Sequence, residues 1–490
     1  MILRISKETF SQFNENKIQY CHWKSNEHLM PGLNGETDLD VLVSPTDKSK
    51  CETVLHNLSY LQCISQYGAI YPKVDDWIGF DEQTGKLIHI HLHYKMITGH
   101  KGMKEFTLPW DELCLETRVL DPETNVYIMD PNLEIITLYC RICLKKPTSE
   151  INRIKKNKSS FRFSDDVKKE IDYLKARIDY EVIGIILRRY FSNPELILKY
   201  IKKDELNNKE FTDLYGSVKK DLVPYCDSRF KYPYIKEVYY KYALFARKVL
   251  YKKTSFVFIY KKVPVTKRGL TVAFIGQDGA GKSTVVSEIG KWLSWKIDAR
   301  NFYLGSGENY RSISKALLQK LGSKGGNAVV KLLRGILLIL NYNKLSKSNL
   351  KRIKSSVRFS QKGGIALFDR YPQSDVIGLN DGPKIRDVFG KKSKNGFFGA
   401  LINLFAGIEE KRIKAASTIQ PDLVFKLILP VEESMRRKPT ENEKIVSLKH
   451  DFILNWDLGK KQYQIDACQE YDKEILEIKK LIWENLLAVK

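Results

Sequence analysis

No uninterrupted apolar run in this 490-residue chain approaches the ~18 residues that crossing a bilayer requires. The nearest, Leu332 to Leu340, is broken by Arg334 and Gly335. The opening stretch Met1–Phe10 has neither an apolar segment nor a small-residue cleavage site, so no signal peptide is expected and the expected compartment is cytoplasmic. Its eight cysteines should then be thiols. Cys140 and Cys143 form a C-x-x-C, yet no second Cys/His pair follows at zinc spacing. Because Leu133–Leu144 has a helical pattern, both are expected to be core cysteines on one helical face. Repeats at solenoid periods are also absent.

Acidic residues are in deficit, 58 against 82 Lys and Arg, which leaves a net charge of +24. Such a surplus favours an anionic partner: a nucleotide, an anionic polymer, or the inner face of an anionic membrane as a peripheral site. A general lysine bias would give the same figure. Hydrophobic content of 43% and charged content of 29% exclude a disordered chain. The length suits about three domains.

The most informative stretch is Gly276-Gln277-Asp278-Gly279-Ala280-Gly281-Lys282-Ser283-Thr284, which satisfies G-x-x-x-x-G-K-[ST]. Leu270–Ile275 before it reads as a buried strand, and Thr284–Leu293 after it as an amphipathic helix. Strand, glycine loop and helix are the context that such a phosphate loop needs. Glycines let the backbone wrap a phosphate, and the loop N–H groups and helix N-terminus supply positive charge. Lys282 is expected on the β/γ-phosphates of ATP and Ser283 on Mg2+.

Residues 1–145 hold a second constellation. Thr37–Val43 alternates as a strand, and Asp38 and Asp40 point to one face of it. Two carboxylates on one face call for a cation, and Mg2+ is a natural one. With Ser25 ahead of it, Gly35–Val43 resembles the acidic strand of the nucleotidyltransferase superfamily, which implies an α+β fold here. That family carries a third acidic strand residue. At its natural place, Lys86–Tyr94, stand His89, His91 and His93, again on one face. His91 replacing the carboxylate, an Asp/His site for a second metal, and a decayed fold kept for binding or assembly all stay open. Weak Mg2+ binding and slow or absent nucleotidyl transfer are expected.

From 146 to 267 the chain reads as a basic helical connector. Lys145–Ser160 is polar and basic, as in a linker, and helical patterns follow. Tyr232–Tyr251 is crowded with tyrosine and lysine, which can bind single-stranded nucleic acid but equally suits a connector. No nucleic-acid motif accompanies it.

Residues 268–490 continue with strand patterns at Asn301–Gly305, Gly364–Asp369, Pro421–Pro430 and Gln462–Asp466, separated by helical ones. This alternation predicts an α/β domain with a parallel sheet. The phosphate loop, Asp369-Arg370-Tyr371, Pro421-Asp422, Glu432–Lys438 and Ile465–Ala467 together resemble the thymidylate kinase-like branch of the nucleoside monophosphate kinases. The resemblance implies a five-stranded parallel sheet, transfer from Mg-ATP to a nucleoside monophosphate, and a homodimer. It places Asp278 beside the transferring phosphoryl, Asp369 and Arg370 toward the acceptor with Asp369 near Mg2+, and Arg437 in a lid. The Arg-Glu-Pro-Gly-Gly type acceptor segment of the thymidylate enzymes is replaced by Tyr303–Tyr310. Ser312–Gln361 forms a basic insertion expected beside the site, and 380–416 reads as irregular. A sugar or cell-envelope precursor as acceptor, a nucleotide sensor without turnover, and a bifunctional nucleotidyltransferase-kinase therefore remain alternatives.

Overall fold

The computed structural model describes residues 2–65, 70–71, 73–100, 102–227, 233–253, 259–266, 268–304, 318, 328–375, 382–390 and 397–489. They form two compact units, Met1–Val249 and Leu250–Lys490.

The first unit is built on a mixed sheet of β1 (Tyr20–His22), β2 (Leu39–Val43), β3 (Leu61–Ser65), β4 (Val74–Phe80), β5 (Leu87–His93), β8 (Val119–Leu120) and β9 (Tyr127–Ile128). β6 (Ile97–Thr98) and β7 (Phe106–Thr107) pair separately. Within the unit the order is β3-β4-β5-β2-β1-β9-β8, with β2 and β5 parallel and β4 antiparallel to β5. Strict alternation decides which side chains enter the core. Leu39, Val41 and Val43 pack with Ile88, Ile90 and Leu92 beneath the helix Arg4–Glu15, which contributes Ile5, Phe10 and Phe13. Asp38, Asp40 and the three histidines fall on the other face.

That other face shares a core with the helices that follow. Cys21, Trp23 and Leu42 pack with buried residues of Pro131–Leu144, Thr148–Lys155, Asp165–Lys175, Tyr180–Tyr190, Pro194–Ile201 and Asn208–Leu222. The basic stretch read as a linker at 145–160 thus contains a helix. Ile151 and Ile154, three apart, give it an apolar face that burial rewards despite the surrounding lysines. Cys140 and Cys143 are buried on Pro131–Leu144, and burial raises both thiols. Pro233–Lys253 is one helix, with Tyr239, Tyr242 and Phe245 exposed; Tyr232 lies outside the described residues.

In the second unit, β10 (Lys262–Pro264) precedes a five-stranded sheet of β11 (Thr271–Gly276), β12 (Ala299–Asn301), β13 (Ile365–Phe368), β14 (Leu423–Ile428) and β15 (Lys461–Asp466). The order is β12-β13-β11-β14-β15 and every pairing is parallel, as the alternating pattern predicted. β11 is buried along its whole length, which explains its unbroken apolar sequence. Asp422 ties the amino edge together: its carboxylate accepts from Thr271 N and Oγ1, both at 2.9 Å, and pairs with Lys460 at 2.7 Å. The strand expected at 301–305 lies earlier, at β12, and Gly305 is outside the described residues.

The insertion provides the helix Ala328–Gln361 of 34 residues, carrying Lys344, Lys347, Lys351, Arg352, Lys354 and Arg358. Residues 312–317 and 319–327 of the expected insertion lie outside the described residues. Where 380–416 reads as irregular, the structure instead has a helix, Phe397–Ser417. Ile402, Ala406, Ile413 and Ala416 recur at helical spacing and are buried, Ile402 and Ala406 against Ile339 and Ile385; residues 380–381 and 391–396 are not described. No helix among the described residues is long and apolar enough to cross a membrane.

Candidate functional site

The loop joining β11 to the helix Lys282–Ser294 needs its glycines for separate reasons. Gly281, at φ 78°, caps the helix in the left-handed region, and Gly279 sits at φ 92°. At Gly276 a Cβ would lie 2.7 Å from the Leu427 carbonyl oxygen, too close for any side chain. The lysine lies back over this loop: Lys282 Nζ donates to Gly276 O at 2.9 Å and to Gln277 O at 2.7 Å. Ser283 and Thr284 are exposed in the first helical turn, where the helix end favours negative charge. Ala280 is buried beneath them, and Gln277 is buried with its amide donating to Leu429 O.

Two further helices, Val431–Arg437 and Glu443–Asn455, pack beside the loop. Ser434 Oγ donates to Asp278 O at 2.9 Å, and Lys449 Nζ pairs with the Asp278 carboxylate. Arg437 donates to Gly279 O at 3.3 Å and Ala467 O at 3.2 Å while Glu433 holds its Nε at 2.7 Å. Burial alone would raise the Asp278 carboxyl, but Lys449, Lys282 and Lys438 outweigh it and hold it below its ordinary range.

Asp369 follows β13 directly and is 5% exposed, at the same carboxyl edge where β11 enters the loop. The Arg370 guanidinium stands over the Tyr303 ring at 5.9 Å, and its charge also bears on Lys282. Tyr371 is buried, its hydroxyl donating to Ile419 O. From the inserted helix, Arg352 donates to Tyr303 O and Asn349 Nδ2 to Leu304 O at 2.7 Å. The insertion therefore reaches the edge beside Arg370, whereas residues 305–310 of the changed acceptor segment lie outside the described residues.

No family model matches the chain. It is 24% identical over 237 residues to the uncharacterized ATP-binding protein YghR of Escherichia coli (strain K12), covering 44% of this chain and 88% of that protein. It is 27% identical over 229 residues to the thymidylate kinase of Prochlorococcus marinus (strain NATL1A), covering 44% of this chain and 98% of that enzyme. To the thymidylate kinase of Thermosipho melanesiensis it is 26% identical over 228 residues, covering 43% of this chain and 96% of the enzyme. These likenesses support a P-loop kinase-like region.

The lysine of that region is poised for anions. Burial pushes the Lys282 ammonium down to about 8; Asp278 opposes the shift, while Arg370, Lys438 and Lys449 add to it. Bound phosphate would raise it again, so the protonated form is the one that binds. ATP affinity is expected to be flat between pH ~7, where the terminal phosphate is ionised, and pH ~8, and to fall toward tenfold per pH unit above it, measured by calorimetry at constant ionic strength. A flat profile to pH 9.5 in the wild type would refute this.

Lys449 and Asn349 were not singled out from the sequence, and no local motif marks them; Ser434 lies within the Glu432–Lys438 stretch and Arg352 within the basic insertion, without a contact expected of either. The remaining expected residues, Asp38, Asp40 and His91, lie in the first unit. There Asp40, His91 and Asp76 are level across β2, β5 and β4. Asp40 Oδ1 meets Lys24 Nζ at 2.8 Å, His93 Nε2 at 3.0 Å and His91 Nδ1 at 3.3 Å. Burial would raise the Asp40 carboxyl, yet Lys24 and the two imidazoles hold it well below its usual range. Burial pushes His93 down to about 3, so it is neutral at pH 7. Ser25, at φ 55°, accepts from Arg141 Nη2 at 3.1 Å. A further carboxylate, Asp76, stands level with His91 on the neighbouring strand.

Proposed function

We propose that the Leu250–Lys490 unit transfers the γ-phosphoryl group of ATP to a nucleoside monophosphate. The observation that carries the reading is Lys282 lying across the carbonyls of Gly276 and Gln277 at the amino end of its helix. An incoming β/γ-phosphate offers that ammonium anionic partners in place of neutral carbonyls, and the loop N–H groups add further donors. Phosphoryl transfer demands positioned charge rather than a covalent nucleophile.

Ser283 and Asp369, a hydroxyl and a carboxylate, are hard oxygen donors that fit Mg2+. When bound it would neutralise charge on the phosphates. Asp278, held anionic by Lys449, keeps a fixed charge beside the loop, and Arg437 braces the Gly279 carbonyl from the helix above it. Arg370, next to Tyr303, is a cation suited to an acceptor phosphate. The thymidylate kinase relatives favour a nucleotide in that place.

The changed acceptor segment Tyr303–Tyr310, whose first two carbonyls Arg352 and Asn349 hold, favours a second reading, in which the acceptor is a sugar or cell-envelope precursor. Incubation of the full chain with Mg-ATP and each acceptor class, with ADP assay and mass analysis of products, decides between them. The expected result is ADP together with a nucleoside diphosphate from one monophosphate. ADP formed only with a sugar or lipid acceptor would replace the nucleotide reading. ATP bound without any phosphorylated product would leave a sensor.

A further inference from the structure

We propose that Asp38, His89 and His91 hold one divalent transition-metal ion, of the class of zinc and cobalt, on the sheet of the Met1–Val249 unit, with Asp76 supporting His89 from its other ring nitrogen. The backbone makes the site. β2 and β5 run parallel with Asp40 level with His91, so Asp38 falls level with His89; β4 then sets Asp76 against His91 from the other side. Alternation keeps all of these side chains on one face.

The distances are those of ligands gathered around one ion. Asp38, His89 and His91 each offer one atom, all within 4.8 Å of one another. Asp76 Oδ1, 3.0 Å from His89 Nε2 and 3.1 Å from His91 Nε2, braces His89 from the ring edge opposite Asp38. His91 Nε2 is 4.0 Å from Asp38 Oδ2. Two ligands on bonds of about 2.0–2.1 Å stand roughly 2.9–3.4 Å apart, so small movements suffice.

The second nitrogen of each ring is held by a carboxylate. His89 presents Nδ1 to Asp38 at 2.8 Å and Nε2 to Asp76 at 3.0 Å. His91 presents Nδ1 to Asp40 at 3.3 Å and Nε2 to Asp76 at 3.1 Å. With an ion bound, the Nδ1–H of His91 on Asp40 fixes the ring and leaves Nε2 for the metal. That carboxylate–histidine–metal arrangement orients and strengthens a ligand.

The neighbouring group of Asp40, His91 and His93 is the weaker alternative. Lys24 already places an ammonium 2.8 Å from Asp40 Oδ1, where a second ion would compete with it. An ion can enter the chosen site from solvent, because the Asp38 and His91 side chains are 31% and 22% exposed while His89 is at 1%. Two imidazoles among the donors select against Mg2+, which prefers an all-oxygen octahedron.

The test uses the untagged full chain, stripped with chelator and free of nucleotide, titrated with Zn2+ by calorimetry and with Co2+ by absorption. Expected are one equivalent of Zn2+, a visible Co2+ spectrum without a thiolate charge-transfer band, and no competition from millimolar Mg2+. His91→Gln and Asp38→Asn should each weaken Zn2+ binding at least about tenfold. Asp38 is part-exposed, so its substitution leaves the core filled, and an unchanged circular dichroism spectrum and unchanged thermal unfolding certify folding of both units. Absence of stoichiometric binding, a thiolate band, or affinity unchanged in both variants would each overturn the proposal. The kinase reading does not depend on the outcome.

Discussion

Replacing Lys282 with alanine is expected to lower kcat/KM for ATP by at least about a thousandfold, or about 4 kcal/mol of transition-state stabilisation. In the free protein this ammonium donates to two carbonyl oxygens, at 2.9 Å and 2.7 Å. Those bonds are neutral at one end and modest in value, while a charge-assisted bond to a phosphate is about twice as strong. The difference grows as negative charge moves onto the β–γ bridging oxygen. Stability should change little. Lys282 is crowded by the cations Arg370, Lys438 and Lys449, so its removal relieves repulsion as it deletes two hydrogen bonds. Lys282→Arg should not rescue turnover, because a planar fork on a longer stem does not reproduce a compact ammonium against the loop. Steady-state ADP formation by variants with wild-type circular dichroism is the measurement. A folded Lys282→Ala protein that keeps full turnover would remove this lysine from the reaction, and with it the assignment of the transfer to the Gly276–Thr284 loop.

The parts of this chain that could be read from sequence are those written locally. Gly276–Thr284 spells a loop whose every constraint lies within nine residues, and the apolar run of β11 announces burial on both faces. Alternation in Leu87–His93 placed three imidazoles on one side, where the structure has them. Partners supplied by distant segments were hidden. Asp76 stands beside Asp75 in sequence, and only the antiparallel register of β4 on β5 determines which carboxylate meets His91. Lys449 reaches Asp278 from 171 positions away. The helix Thr148–Lys155 was obscured differently: two buried isoleucines set its packing, but its composition is that of a solvated linker. Charge density disguised an amphipathic segment, and only the core it joins reveals it.

Asp369→Asn is the second large expected effect, a fall in kcat of about a hundredfold or more with ATP affinity nearly preserved. Asparagine keeps the volume and one oxygen of the side chain, so the carboxyl end of β13 need not repack. What it removes is negative charge at a position 5% exposed, on the edge shared with the phosphate loop. If that charge shares Mg2+ with Ser283, its loss should also raise the Mg2+ concentration needed for half-maximal rate. A residue that merely ends a strand would show neither change, only a lower denaturation midpoint. Titrating Mg2+ at saturating ATP for wild type and variant separates the two. Equal kcat and equal Mg2+ dependence would make Asp369 an ordinary strand cap, and would transfer the acceptor-side role to Arg370, where the neighbouring Tyr303 and the inserted helix already converge.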